Sequence, residues 1–314
     1  MDDRRQRLLS LAVEMFISSN RPVASRDLAE ALGVSSATVR SELVALEEMG
    51  LLHQPHTSAG RVPTRAAYRA YAHRFIPPQA LNESASERLE GALARVSGDG
   101  RLKIATQIAS HLSGYAVMTV AASLEATLEA MLLSLLPDGR VLAVILLSGG
   151  DARELIIDAG FRPERATIEK LEQAFQDRSI PLRDVPAELG RLEQASSPGV
   201  SGLAKALRER WSEASPKISF SSGARPVLGE PESSNVNFIR NVLEILEQPN
   251  HDHSTATLGQ VELVVDDPNG VSKITVGFRS RALKGSVVIV GPTRMRYPQA
   301  ISVAKAVSDA LGAA

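Results

Sequence analysis

The chain has 314 residues, 44% of them hydrophobic, a formal net charge of −1 and no cysteine. That length suits two or three domains, and the apolar fraction excludes wholesale disorder. The lack of cysteine excludes disulfides, thiol nucleophiles and cysteine-ligated metals, and it fits a reducing cytosol. A near-zero charge also excludes a basic nucleic-acid coat. Residues 1–78 nevertheless hold ten arginines, no lysine and eight acids, a balance of +2. Any affinity for nucleic acid must therefore come from the local placement of arginine rather than from bulk charge.

The opening MDDRRQR is charged and lacks the apolar stretch of a signal peptide, so none is expected. Residues 4–19 predict a first helix, with Leu8, Leu9, Ala12, Val13, Phe16 and Ile17 at helical spacing on the buried face. Asn20-Arg21-Pro22 stops it. Ser25 is expected to cap a second helix that runs to about Leu32, with Ala29 and Leu32 facing the core. Gly33 then permits a tight turn.

The stretch from Val34 to Thr64, VSSATVRSELVALEEMGLLHQPHTSAGRVPT, is the centre of the reading. Ser35 and Ser36 offer side-chain oxygens to orphan N–H groups at a helix start. Val39, Leu43 and Leu46 form an apolar stripe at i, i+4 and i+7. The other side carries Ala37, Thr38 and Ser41 with Arg40 at the flank. Small or donor-bearing residues let a helix sink close to base edges in a major groove. Gly50 is placed to end the helix in a left-handed conformation. An extended run follows at 51–55, residues 57–60 turn the chain, and Arg61-Val62-Pro63 return beside it. Helix, turn, helix and short wing in this order describe a winged helix-turn-helix. Thr64 caps a fourth helix through Tyr68 and Tyr71, and Pro77-Pro78 marks a boundary.

Residues 81–96 predict a linker helix carrying Leu89, Leu93 and Val96, and 101–112 another. Strands are expected at 115–121 and 154–157. A hairpin at 130–136 and 140–147 turns on Pro137-Asp138-Gly139. The most apolar stretch, 116–136, is broken by Glu125 and Glu129, which argues against a membrane span. Residues 161–216 read as helical and strand-poor, with Leu203, Leu207 and Trp211 as a stripe that suits either core or a dimer seam. Strands resume at 217–220, 261–265, 272–278 and 285–290. One helix carries Phe238, Val242, Ile245 and Leu246; a last, opened by Pro298, carries Ile301, Ala304, Val307 and Leu311. Strands on both sides of a helical block suggest a sheet domain interrupted by an insertion. Residues 247–257 read as an exposed loop.

The SSATVRSELVALEEMGLLHQPHTSAGRVPT segment closely resembles the winged-helix signature of HrcA, the heat-inducible transcription repressor family. GSVVIVGPTRMRYPQAISVAKAV, residues 285–307, resembles that family's closing motif. The resemblance implies an α+β multidomain protein. Its expected parts are an N-terminal winged helix-turn-helix domain (1–76), a linker helix (77–99), and a GAF-like α+β domain in two pieces (100–160 and 217–314). A helical inserted dimerising domain (161–216) interrupts the last. It also implies a cytoplasmic homodimer that represses chaperone operons by binding the inverted repeat called CIRCE. Its activity would be lost on heating and supported by the GroEL chaperonin. No enzyme activity is implied.

The candidate DNA-binding residues are Ser35, Ser36, Ala37, Thr38, Arg40 and Ser41 on the helix. His56, Thr57, Ser58, Gly60 and Arg61 join them from the wing. Arg40 suits guanine or phosphate, and the serines suit phosphate at the helix start. No catalytic residue, metal or cofactor is expected. His53 and His56 fall on opposite faces of an extended strand, and His251 and His253 lie in a polar loop. Gly291-Pro292-Thr293-Arg294 suits either an anion cradle or a tight strand-to-helix connection. An enzyme site near Thr293, Arg294 and Arg296 would lack a nucleophile, a metal set or an acid–base pair. The alternative function is a metabolite-responsive winged-helix regulator with its effector in the sheet domain.

Overall fold

A computed structural model describes residues 2–56, 59–148, 152–213, 217–247, 256–265 and 270–313. The expected loop at 247–257, with His251 and His253, lies largely outside them. The chain divides into two units: residues 1–120, 219–279 and 285–314 form one, and 121–218 with 280–284 form the other.

The first unit begins with α1 (Asp3–Ser19), α2 (Ser25–Leu32), α3 (Ser36–Glu48), the two-stranded wing β1 (Leu52–His53) and β2 (Val62–Pro63), and α4 (Arg65–His73). Leu8, Leu9, Ala12 and Val13 of α1 are buried with Leu28 and Ala29 of α2, with Val39, Leu43 and Leu46 of α3, and with Tyr68 and Tyr71 of α4. Fully burying a leucine or valine contributes about 1.5–3 kcal/mol. A helix cap contributes only about 1 kcal/mol, so packing of these stripes outweighs capping. The caps set the boundaries instead: Ser35 and Thr64 accept from the N–H of Thr38 and Ala67. Gly50, just past α3, takes φ +70° as expected of its position. Two local expectations are corrected. Ser25 is the first helical residue of α2, behind an uncapped Ala24, and Leu28 rather than Leu32 fills the core.

The remainder of this unit is an α/β half. After α5 (Glu83–Leu93) and α6 (Asp99–Ser113), β3 (Ala116–Ser123) enters a five-stranded sheet of order β8-β3-β11-β10-β9. Its other strands are β8 (Lys217–Ser222), β9 (Val261–Val264), β10 (Val271–Arg279) and β11 (Leu283–Pro292). Strand residues alternate between faces. Ala116, Met118, Val120, Val288 and Val290 meet Val227 of α10 (Ala224–Leu228) and Phe238 and Val242 of α11 (Val236–Glu247). On the opposite face, the Thr119 and Thr106 hydroxyls share a buried hydrogen bond of 2.6 Å that ties β3 to α6. Ser272 of β10 meets Tyr297, the first residue of α12 (Tyr297–Gly312), at 3.0 Å. Gly223, directly after β8, packs on Tyr115 and Ala116 at the start of β3. The neighbouring strands β8 and β3 are therefore antiparallel.

The second unit has a four-stranded sheet of order β6-β5-β4-β7, made of β4 (Thr127–Leu135), β5 (Val141–Leu147), β6 (Ala152–Ile157) and β7 (Ile180–Pro181). The helices α7 (Arg165–Phe175), α8 (Val185–Ala195) and α9 (Pro198–Arg210) share its core. Leu128, Met131, Val141, Ile145 and Leu155 pack there with Leu171, Phe175, Leu203, Leu207 and Trp211. The 203/207/211 stripe is thus internal, and the Trp211 indole N–H donates to the Leu182 carbonyl at 3.1 Å. The boundary expected at 160/161 falls inside this unit. The hairpin follows β3 closely in sequence, but its apolar face complements the helices of 165–210, so all of these elements fold around one core.

Candidate nucleic-acid interface

Helix α3 starts where its sequence predicts. Ser35 Oγ accepts from the Thr38 N–H at 3.1 Å and meets the Thr38 hydroxyl at 2.8 Å. The Thr38 hydroxyl is therefore turned back toward the cap. Along the outer side of the helix Ala37, Arg40 and Ser41 are exposed, and Ser36 and Thr38 are half-buried. Among the described residues the Arg40 guanidinium makes no ion pair, so it is available to a phosphate or a base edge. The first-turn N–H groups that the cap does not satisfy and the positive end of the helix dipole add to anion affinity at Ser35 and Ser36.

The wing separates its residues into two roles. His56 is exposed beyond β1, and Thr57 and Ser58 lie outside the described residues. Arg61 and Gly60, expected to face DNA, are turned inward. The Arg61 guanidinium pairs with Glu47 of α3 at 3.0 Å, and its side chain is only 15% exposed. Its backbone exchanges two hydrogen bonds of 2.8 Å with Val23. A Cβ at Gly60 would overlap the Val23 carbonyl and lie 2.8 Å from the carbonyl carbon of Pro22. Glycine is needed there so that the returning strand can lie against the α1–α2 link. Arg61 thus braces wing to helix in this structure, and extending into a groove would require it to leave Glu47.

Other arginines of the domain divide in the same way. Arg5 donates to Glu42 of α3 at 2.7 Å, and Arg74 donates to the Gln6 carbonyl at 3.1 Å and to the Ser10 hydroxyl. Arg4 and Arg7 are exposed one turn apart on α1, where they line a cleft of about 400 Å³ with Val34, Thr38 and Glu42. The sequence reading missed this pair. The signal was present, since residues three apart on a helix share a face. Burial pushes the Tyr68 and Tyr71 hydroxyls well above the ordinary phenol range, so both stay protonated. Tyr71 donates to Glu14 at 3.1 Å and ties α4 to α1.

No cluster of three or more metal-ligating side chains occurs among the described residues, and His53 and His56 are both exposed. Among those residues, no helix is long and apolar enough to cross a membrane. In the connection 291–294, offered as an anion cradle, the arginine is already engaged by carboxylates, which favours a strand-to-helix connection. Arg294 donates to Glu232 at 2.7 and 3.0 Å and to Glu230 at 2.6 Å.

A capped helix with a slim polar outer side, braced by a short wing and followed by an α/β half, defines a winged-helix transcription regulator. Comparison with known proteins gives the family. Residues 2–75 match the winged helix-turn-helix transcription repressor, HrcA DNA-binding domain, and residues 99–301 match the HrcA protein C-terminal domain. The heat-inducible transcription repressor HrcA of Moorella thermoacetica is 31% identical over 99% of this chain and 97% of its own. That of Brevibacillus brevis is 30% identical over the same shares. A crystal structure described as a hypothetical protein has a TM-score of 0.62 at 18% identity, covering 99% of this chain and 98% of its own, and shares the fold. The chain belongs to the HrcA family of heat-inducible transcription repressors, which are DNA-binding regulators and not enzymes.

Proposed function

We propose that the protein is a cytoplasmic homodimer that binds the CIRCE inverted repeat upstream of class I heat-shock operons and represses them. Heating removes it from DNA, and the GroEL chaperonin keeps it competent. The observation that carries this reading is the exposed outer side of α3, with Arg40 in no ion pair among the described residues, on a chain of the heat-inducible repressor family. In this reading Ala37, Thr38, Arg40 and Ser41 face base edges, and Ser35 and Ser36 hold a phosphate. His56, Thr57 and Ser58 reach the backbone from the wing. Gly60 and Arg61 hold that wing in place.

Two features support the finer parts. The β4-β5-β6 sheet has its helices on one side only, and its other side presents Leu132, Leu146 and Ile156, which are 54%, 36% and 40% exposed. An apolar face of this kind suits a second copy of the chain, and a two-fold dimer requires an inverted-repeat operator. The same run, 131–147, is apolar and strand-forming with little charge. When unfolded it is a hazard for aggregation and a natural chaperonin client. Footprinting on DNA upstream of chaperone genes, before and after heating, tests the proposal. Protection of a palindrome that disappears with heat is the expected result, and protection no better than on random DNA would refute it.

A further inference from the structure

Helix α1 has no basic residue in its last turn, although that end collects unpaired carbonyls and the negative pole of the helix dipole. The missing cation comes from the far end of the chain. Arg294 Nη1 donates to the Ile17 carbonyl at 3.3 Å, while its other nitrogens grip Glu230 and Glu232. The side chain is 12% exposed, so solvent screens these pairs less than it screens a surface ion pair.

The root of this arginine is fixed. Arg296 N–H donates to the Tyr115 hydroxyl at 2.8 Å, and the Tyr297 hydroxyl donates to the Thr293 carbonyl at 2.7 Å. A Cβ at Gly291 would sit 2.9 Å from the Tyr115 ring, so that turn is held from both sides. The far partner is equally committed, because α1 packs its buried face on α2, α3 and α4. Those helices and the wing pack chiefly on one another, not on the five-stranded sheet or its helices. A hydrogen-bonded tether between the two bodies therefore has leverage on the direction in which α3 points.

We infer that Arg294 is a positioning residue that fixes the bearing of the winged helix on the α/β half and so sets the half-site spacing the repressor accepts. This rests on the dimer reading given above. In a dimer, the separation and rotation of two reading helices follow from how each is carried. Half-sites sit one helical turn of DNA, or a multiple of it, apart. A firm carrier rejects a spacer of the wrong length, and a loose one tolerates it.

The test uses the full-length protein on three DNAs: the operator, the same operator with its spacer lengthened by about half a helical turn, and a single half-site. Wild-type protein should prefer the operator strongly over the lengthened one. Arg294→Ala should keep wild-type affinity for the single half-site while its preference for the natural spacing shrinks by about tenfold, within the usual range for coupling between sites. The double variant Glu230→Gln with Glu232→Gln should act in the same direction without touching the arginine. Arg294→Lys should fall between, because an ammonium lacks the planar fork. Unchanged spacing preference in both the alanine and the double variant would overturn the inference and leave the dimer reading intact. Loss of single half-site binding by Arg294→Ala would also overturn it, since the residue would then serve domain integrity. Wild-type protein that binds the operator no better than a half-site would remove the dimer reading and the inference together.

Discussion

Arg40 and Arg61 belong to one motif and point to opposite tasks, one outward from α3 and one inward to Glu47. If Arg40 reads a base, Arg40→Ala should weaken operator binding by about 1–3 kcal/mol, with a smaller loss on random DNA. Titration by fluorescence anisotropy measures both. For Arg61 the two roles separate through its partner. As a brace, Arg61→Ala and Glu47→Gln should lower the melting temperature alike, by about 1 kcal/mol of stability, and should weaken DNA binding only secondarily. As a groove contact, Glu47→Gln would free the arginine and hold or raise the affinity. Arg40 was legible because helix periodicity places it on the outer flank. Arg61 was not, because its neighbours Glu47 and Val23 come from elements that sequence distance conceals. The same holds for Gly60. Its place in a turn is plain from composition, yet the reason for glycine is the Val23 carbonyl pressing on it.

Elements with a strict apolar period were the most readable. The stripes of α3 and α12 are buried as predicted, that of α1 is buried at Leu8, Leu9, Ala12 and Val13 but only partly at Phe16 and Ile17, and the β4–β5 hairpin turns at Pro137-Asp138-Gly139 with Leu132 opposite Val144. What the pattern could not reveal was which partner each apolar face would choose. Strands β4–β6 alternate, apart from a bulge between Leu128 and Ala130, but nothing local says that their inner side belongs with Phe175 and Trp211 rather than with β3. Their outer side carries the next prediction. Leu132→Lys leaves the inner core untouched, so it should preserve the melting temperature while converting the proposed dimer to monomer in sedimentation equilibrium. Operator affinity should then fall toward that of one half-site. A charged dimer of unchanged mass would show that this face is not the seam.

At the scale of the whole molecule, the two motif-bearing ends proved legible because each is local: a helix with its wing, and a strand leading into a helix. Their meeting through Arg294 and Ile17 spans nearly the full chain and was invisible in sequence. Thermal control is the property that belongs to this scale. Brief heating of purified protein should abolish the mobility shift of operator DNA. On cooling, chaperonin with ATP should restore more binding than cooling alone, as expected if the run 131–147 is the aggregation hazard proposed above. Equal recovery without chaperonin would count against that control.

The antiparallel neighbours β3 and β8 are where the long excursion of residues 124–216 departs and returns. Such a cassette could be spliced out and the cut closed by a bend of a few residues, making one ordinary hairpin of the two strands. What remained would keep its reading helix and its five-stranded platform and, with the proposed seam on β4–β6 removed, would grip DNA singly. Under that proposal the pairing surface is a cassette separable from both the reader and its mount.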